Sequence, residues 1–403
     1  MKLPSLPSPT IVCSTGVAIF AMFFGSGNVV FPLLLGQTTG NQVGWALIGL
    51  TLTAVGAPLL GLLGSVLFEG DCKQFFYRIG SVPGYLVVLL ILALLGPLGV
   101  MPRCFIVAFA AIKPYFPQLS LLLFSQIAGV ITLLFIAKRA YILPLLGMWL
   151  SPLLICTLLV VIITSIVKME SLHQTAFTPF TAMIEGLGVG YNTMDLLASI
   201  IFSVSIWMLL KEKLNLSDEK SIHRQLVPTY VLASLIGGGL LGLIYLGMSF
   251  SAAAHPHALA NAAPEQVLTH LSIYILGHKL AIIANIAVIL ACLTTVMSLA
   301  VAVVDVIHVE IMNTKIGSKI PFSYVWMMLI VIVITVIFSN LGFVAIMNFL
   351  DPILAVCYPA IIVLAICNIL YKLYGFPYVK IPVYATLAIT VLWTFVVSTS
   401  FTS

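Results

Sequence analysis

Long apolar runs are what most constrain this chain. A bilayer-spanning helix needs about 20 consecutive, mostly apolar residues. Eleven segments meet that length, near 11–36, 43–67, 82–112, 117–137, 142–167, 178–210, 226–251, 276–308, 320–339, 342–371 and 379–399. Several exceed one crossing, which implies tilt, kinks or broken helices. None shows the short alternating pattern of a membrane β-barrel. The expected fold class is an all-α polytopic membrane protein, organised as a single domain over 1–403.

Composition supports lipid as the solvent. Of 403 residues, 62% are hydrophobic and only 7% charged, against roughly a quarter charged in a soluble domain. Lys2 precedes an apolar run too long for a signal-peptide core, so that run is read as the first span. None of the seven cysteines forms a CxxC pair, and they read as small buried hydrophobes.

Charge placement suggests an orientation. With the N-terminus cytoplasmic, only Lys113, Lys168 and Lys279 of the 17 basic residues fall outside, and Arg103 lies within a span. The other thirteen fall inside, as the positive-inside rule expects. This bias accounts for the net charge of +5 without a nucleic-acid partner.

Two spans carry interruptions. Span one reads Phe23-Phe24-Gly25-Ser26-Gly27-Asn28, followed by Val29, Val30, Phe31 and Pro32. Span six reads Gly186-Leu187-Gly188-Val189-Gly190-Tyr191-Asn192-Thr193-Met194-Asp195. Either alone fits close helix packing through small residues. Together they occupy corresponding places in two five-span halves, about 11–167 and about 178–371, with an extra helix near 379–399. Paired interruptions of this kind point to a transporter binding site. Half-helix N-termini offer N–H groups to a carboxylate, and half-helix C-termini offer carbonyls to a cation. An amino acid needs both.

Other polar residues leave readings open. Arg103 is costly at membrane depth, about 2.5–3.5 kcal/mol on insertion scales. It reads as a gate or pathway residue paired with a carboxylate or carbonyls, or as a structural ion pair or an interfacial side chain that snorkels, with Asp195 and Glu185 as candidate partners. Asp195 suits a cation path or a helix cap. Thr294 and Thr295 suit either oxygen ligation of a hard cation or back-bonding to their own helix. Asp351-Pro352 marks a kink whose carboxylate suits a proton site or a cap. His255-Pro256-His257 reads as solvated loop rather than metal site, since no further ligand flanks it.

The residues themselves resemble a known family. "FAMFFGSGNVVFPLLLG" in span one looks like the first helix of the branched-chain amino acid:cation symporters. "GYNTMDLLA" at 190–198 is similar to their sixth-helix motif. "GPLGVMPR" at 96–103, "LACLTT" at 290–295 and "YPAIIVL" at 358–364 also match, in order along nearly the whole chain. The pattern lapses at 104–110, where an apolar run replaces the family's polar one, and eleven spans stand where the family has twelve.

The resemblance implies a five-plus-five inverted-repeat (LeuT-like) transporter fold with helices 1 and 6 broken. It implies import of leucine, isoleucine and valine by alternating access in a bacterial inner membrane, coupled to Na+ and without an organic cofactor. Proton coupling or another small amino acid is the alternative. The implied substrate site comprises Gly25, Ser26, Gly27, Asn28, Gly188, Gly190, Tyr191 and Met194. Arg103 and Asp195 would serve gating or the pathway. Thr294, Thr295 and backbone oxygens near Ala21 and Gly25 would hold Na+. Phe24, Met194 and Ile201 would flank the aliphatic side chain. An intramembrane enzyme lacks support: the seven histidines lie in loops or near span ends, and no HExxH is present. A channel would call for a repeated pore ring.

Overall fold

The computed structural model describes residues 8–137, 142–169, 171–214, 222–312 and 324–400. The first span is two helices, α1 (Pro9–Phe23) and α2 (Ser26–Thr39). The second is α3 (Val43–Thr51) and α4 (Ala57–Val66), joined through a π turn at Leu52–Gly56. After the short α5 (Cys72–Tyr77), the third span is α6 (Ser81–Leu95) and α7 (Val100–Ile112). The fourth and fifth spans are α8 (Leu121–Ala137) and α9 (Ile142–Val167). The sixth is α10 (Pro179–Asn192) and α11 (Asp195–Lys213).

The seventh span is α12 (Val227–Ala253), followed by the short α13 (Pro256–Leu259). Next comes α14 (Val267–Met312), kinked at Gly277, whose φ of 76° is outside the helical range. Then α15 (Tyr324–Ser339), α16 (Phe343–Tyr374) and α17 (Lys380–Ser400) complete the chain. Among the described residues, six stretches are long and apolar enough to cross a bilayer, and five shorter apolar helices accompany them.

Local chemistry explains the boundaries that matter. Thr178 and Thr181 cap α10 reciprocally, each hydroxyl accepting the other's backbone N–H, with Pro179 in the first turn. α11 opens on Asp195 and closes with Lys211 and Lys213, which suits its dipole. α6 stops at Gly96, and Gly99 precedes α7, so Gly96-Pro97-Leu98-Gly99 is a third break in the spans. The sequence reading had this region as one continuous span.

Two groups of helices form. α1, α2, α4 and α11 pack with α12, and α3 lies along α10. The second group joins α7, α8, α14 and α15. α9 touches both groups, through α12 and α14. Small residues permit the closest approach. A methyl at Gly186 would sit 1.9 Å from the Ala46 carbonyl oxygen, and one at Gly49 2.1 Å from that of Met183. The reading of the outer connection needs correction. His255 is only 1% exposed, and its Nε2 lies 3.1 Å from the Ser165 carbonyl oxygen. The ring is packed against protein rather than solvated. Among the described residues no three His, Cys, Asp or Glu side chains are grouped to hold a metal.

Candidate substrate and ion site at the helix breaks

The break in span one is two residues of extended backbone, Phe24 and Gly25. Asn28, one turn into α2, folds its side chain back so that Oδ1 accepts the Gly25 N–H at 3.0 Å. This seals one orphan donor of the new helix. The Pro32 ring lacks an N–H, which leaves the Asn28 carbonyl without its usual donor four residues on. Ser249 of α12 donates to the Pro32 carbonyl at 2.7 Å and fastens the half-helix to its neighbour.

The break in span six does not fall at its glycines. α10 remains helical through Gly186, Gly188 and Gly190 to Asn192, and the chain turns at Thr193 and Met194. Met194 adopts φ 60° and ψ 17°, the left-handed region. Such a conformation costs about 1–3 kcal/mol in a residue with a Cβ. Its side chain is fully buried, which holds it there. Gly186 and Gly190 serve packing: a methyl at Gly190 would meet the Thr53 hydroxyl at 1.9 Å. Gly188 has nothing within 4 Å in that direction. Tyr191 stacks on Tyr358 of α16 at 4.7 Å between ring centroids. The Tyr358 hydroxyl accepts the Leu196 N–H at 3.1 Å, capping α11 from another helix.

The two breaks meet through side chains. The Asn28 amide donates to both Asp195 oxygens, at 2.9 and 2.8 Å. Tyr245 of α12 donates its hydroxyl to Asp195 Oδ2 at 2.7 Å and also contacts the Asn28 amide. Asp195 is 1% exposed and Asn28 2%. Among the described residues the partners of this carboxylate are an amide and hydroxyls, and no basic side chain contacts it. A buried carboxylate held only by neutral donors is completed by a positive charge. A proton, a metal cation or an ammonium group meets that need.

A second oxygen cluster lies beside the first break. The Thr295 hydroxyl of α14 is 3.4 Å from the Phe24 carbonyl and 2.9 Å from that of Ala291. A methyl at Gly25 would lie 3.2 Å from Thr295 Cγ2. Thr294 directs its hydroxyl to the Ala291 carbonyl at 2.9 Å, and Ala21 lies one turn before the break. The last carbonyls of α1 have no helical donors and carry the negative end of its dipole. Oxygens of this kind suit a hard cation.

Arg103, fully buried on α7, reaches the second break. Its Nη1 donates to the Asn192 carbonyl at 2.9 Å. It forms no ion pair with Asp195 or Glu185, the partners weighed from sequence. Phe24, Met194 and Ile201 are all buried. Tyr245 escaped the sequence reading, because a tyrosine in an apolar run gives no local sign of a partner 50 residues away. Asn192 stood in the sequence only as part of the span-six interruption, and Tyr358 only as the start of the 358–364 segment.

Paired helix breaks that meet inside a helical membrane protein define the five-plus-five inverted-repeat transporter fold. Comparison with solved structures bears this out: the inward-facing structure of Mhp1 superposes with a TM-score of 0.59 over 90% of this chain and 80% of that one, at 17% identity. Residues 9–402 match the family described as branched-chain amino acid transport protein, and the chain belongs to that family. Two relatives from Bacillus subtilis (strain 168) are similar over most of their length. The branched-chain amino acid permease BraB is 29% identical, covering 89% of this chain and 80% of its own. The permease BrnQ is 26% identical, covering 91% and 82%.

Proposed function

We infer that this transporter imports leucine, isoleucine and valine by alternating access, coupled to a cation, with Na+ as the first choice. The observation that carries this reading is the Asn28–Asp195 pair, which joins the two breaks by a buried carboxylate that no basic side chain among the described residues contacts. Both half-helix ends that an amino acid needs then lie in one place. The ammonium group is directed to Asp195 and the carbonyls ending α10. The carboxylate is directed to the free N–H groups opening α2, and the aliphatic side chain to apolar neighbours such as Met194 and Phe24. The permeases similar to this chain support the substrate class. Na+ is assigned to the Phe24 carbonyl and Thr295, with Thr294 and the Ala21 and Gly25 backbone alongside.

The setting is a bacterial inner membrane, which the bacterial relatives support, with a cytoplasmic N-terminus, which the loop charges support. Proton coupling is the second reading, and the neutral partners of Asp195 favour it. The test is leucine uptake into proteoliposomes under an inward Na+ gradient or an equal choline gradient at fixed pH. Accumulation with Na+ alone, competed by isoleucine and valine, supports the first reading. Uptake that follows a pH gradient without Na+ moves coupling to Asp195. No leucine uptake by folded protein under either gradient overturns the substrate assignment.

A further inference from the structure

Arg103 presents a pattern of donors that the fold leaves unfinished. The guanidinium is 0% exposed. One edge is anchored: Nη1 donates to the Asn192 carbonyl at 2.9 Å and lies 3.5 Å from the Met347 sulfur. The other edge has no oxygen acceptor. Nη2 meets only the Met194 sulfur at 3.2 Å, and Nε has no partner. Thioethers are weak acceptors on flexible side chains, easily moved aside. Asp195 and Asp351 act on Arg103 through space without contacting it. A buried cation with a free Nε–Nη2 fork is costly unless an anion completes it, and that fork matches a carboxylate in bidentate geometry.

The surroundings indicate which carboxylate. The Gly96–Gly99 break starts α7 just before Arg103 and re-aims it toward the turn at Met194. Cys104, the next residue, contacts the Ser26 hydroxyl in the first turn of α2 at 3.5 Å. The Phe31 ring lies 5.5 Å from the guanidinium carbon. The free fork therefore faces both breaks amid methionine and phenylalanine side chains. Met347 and Asn192, against the anchored edge, are only partly buried, whereas Met194, which covers the fork, is fully buried. A monocarboxylate with an aliphatic tail fits these neighbours, and a phosphate or a dicarboxylate does not fit an apolar wall.

We propose that Arg103 is the carboxylate receptor of the substrate site, which the substrate engages by displacing the Met194 sulfur from Nη2. This rests on the amino acid transport reading above and names the charge partner within it. The acid group of the substrate makes paired hydrogen bonds to Nε and Nη2 and cooperates with the N–H groups of α2. Its ammonium group remains with Asp195, so that the zwitterion spans two buried charges of opposite sign.

The test is equilibrium binding to the purified full-length protein, in detergent at saturating Na+. Leucine, its amide and 4-methylpentanoate are titrated into wild type, Arg103→Gln and Arg103→Lys. Wild type is expected to prefer leucine over the amide and to bind 4-methylpentanoate competitively with leucine. Arg103→Gln is expected to lose roughly 100-fold in leucine affinity, the loss typical of a broken buried charge pair. Binding of the amide should fall far less, since its carbonyl accepts a neutral hydrogen bond where the carboxylate accepts a charged pair, and a melting curve of the variant shows that it folds. Arg103→Lys should recover part of the leucine affinity. An Arg103→Gln protein that transports poorly yet keeps the wild-type preference for leucine over its amide would be a gate variant, and would overturn the proposal. Equal loss of leucine and amide binding would overturn it as well. Wild type that binds no leucine would sink the branched-chain reading and this proposal together.

Discussion

The Asn28 side chain grips both breaks at once: its Oδ1 accepts the Gly25 N–H at 3.0 Å, and its Nδ2 donates to both Asp195 oxygens at 2.9 and 2.8 Å. Movement of one half-helix is therefore coupled to the charge state of the residue that opens the other. Asp195→Asn removes the charge but keeps the shape. Little change in thermal stability is expected, with uptake reduced at least about 100-fold if the charge supplies 3 kcal/mol or more of ion or substrate binding. Asn28→Ala leaves the carboxylate short of donors and should destabilise the protein by about 3 kcal/mol. Melting curves and uptake measured on the same preparations separate the two effects. An Asp195→Asn variant that transports normally would show that the charge is not used.

Thr295 and Thr294 are adjacent but differently placed. Thr295 alone adds an approach to the Phe24 carbonyl, while the Thr294 hydroxyl is spent on its own helix. Thr295→Ala should raise the Na+ concentration for half-maximal uptake about tenfold, the cost of one hydrogen-bonding oxygen of about 1.4 kcal/mol. Thr294→Ala should shift it less. Na+ titration of leucine uptake at fixed pH checks this, and equal effects would remove the distinction.

The glycines of α10 should separate by stability. Gly186→Ala places a methyl 1.9 Å from the Ala46 carbonyl oxygen, an overpacking that costs about 1–3 kcal/mol or more. Gly188→Ala meets nothing within 4 Å and should stabilise the helix by up to about 1 kcal/mol. Thermal melting of the detergent-solubilised variants reads both, and like behaviour would contradict the packing described.

Tyr358 caps α11 across the molecule. Tyr358→Phe leaves the Leu196 N–H without its acceptor while the ring remains stacked on Tyr191. A buried unsatisfied donor costs about 1–3 kcal/mol, so a lowered melting temperature is expected. Faster hydrogen exchange at Leu196 would localise the loss, and an unchanged rate would show that another group takes over the cap.

Much was legible along the chain. Apolar run length marked the helices, because a lipid solvent forces backbone groups to pair within each segment and leaves a long local signature. The interruption at Gly25 was legible because glycine and asparagine are out of place in such a run. Asp195 and Arg103 stood out for the same reason, each a charge where charge is costly. Sequence also marked Thr295, and the family resemblance set it beside backbone oxygens of span one, where its hydroxyl lies 3.4 Å from the Phe24 carbonyl.

The tertiary structure decided the rest. Gly186 and Gly190 looked like breaks, yet the chain turns at Met194, because the close-packed α3 and the π turn after it need those glycines inside a continuous helix. His255 looked like solvated loop, yet it packs beneath the Ser165 carbonyl. Tyr245 became a partner of Asp195, and Arg103 was left with an open fork, only when α7, α10, α11 and α12 converged. Segment length and composition are local properties that a solvent selects residue by residue. Which donor meets which acceptor depends on contacts between residues as far apart as Asn28 and Asp195, and only the packing of the helices determines those.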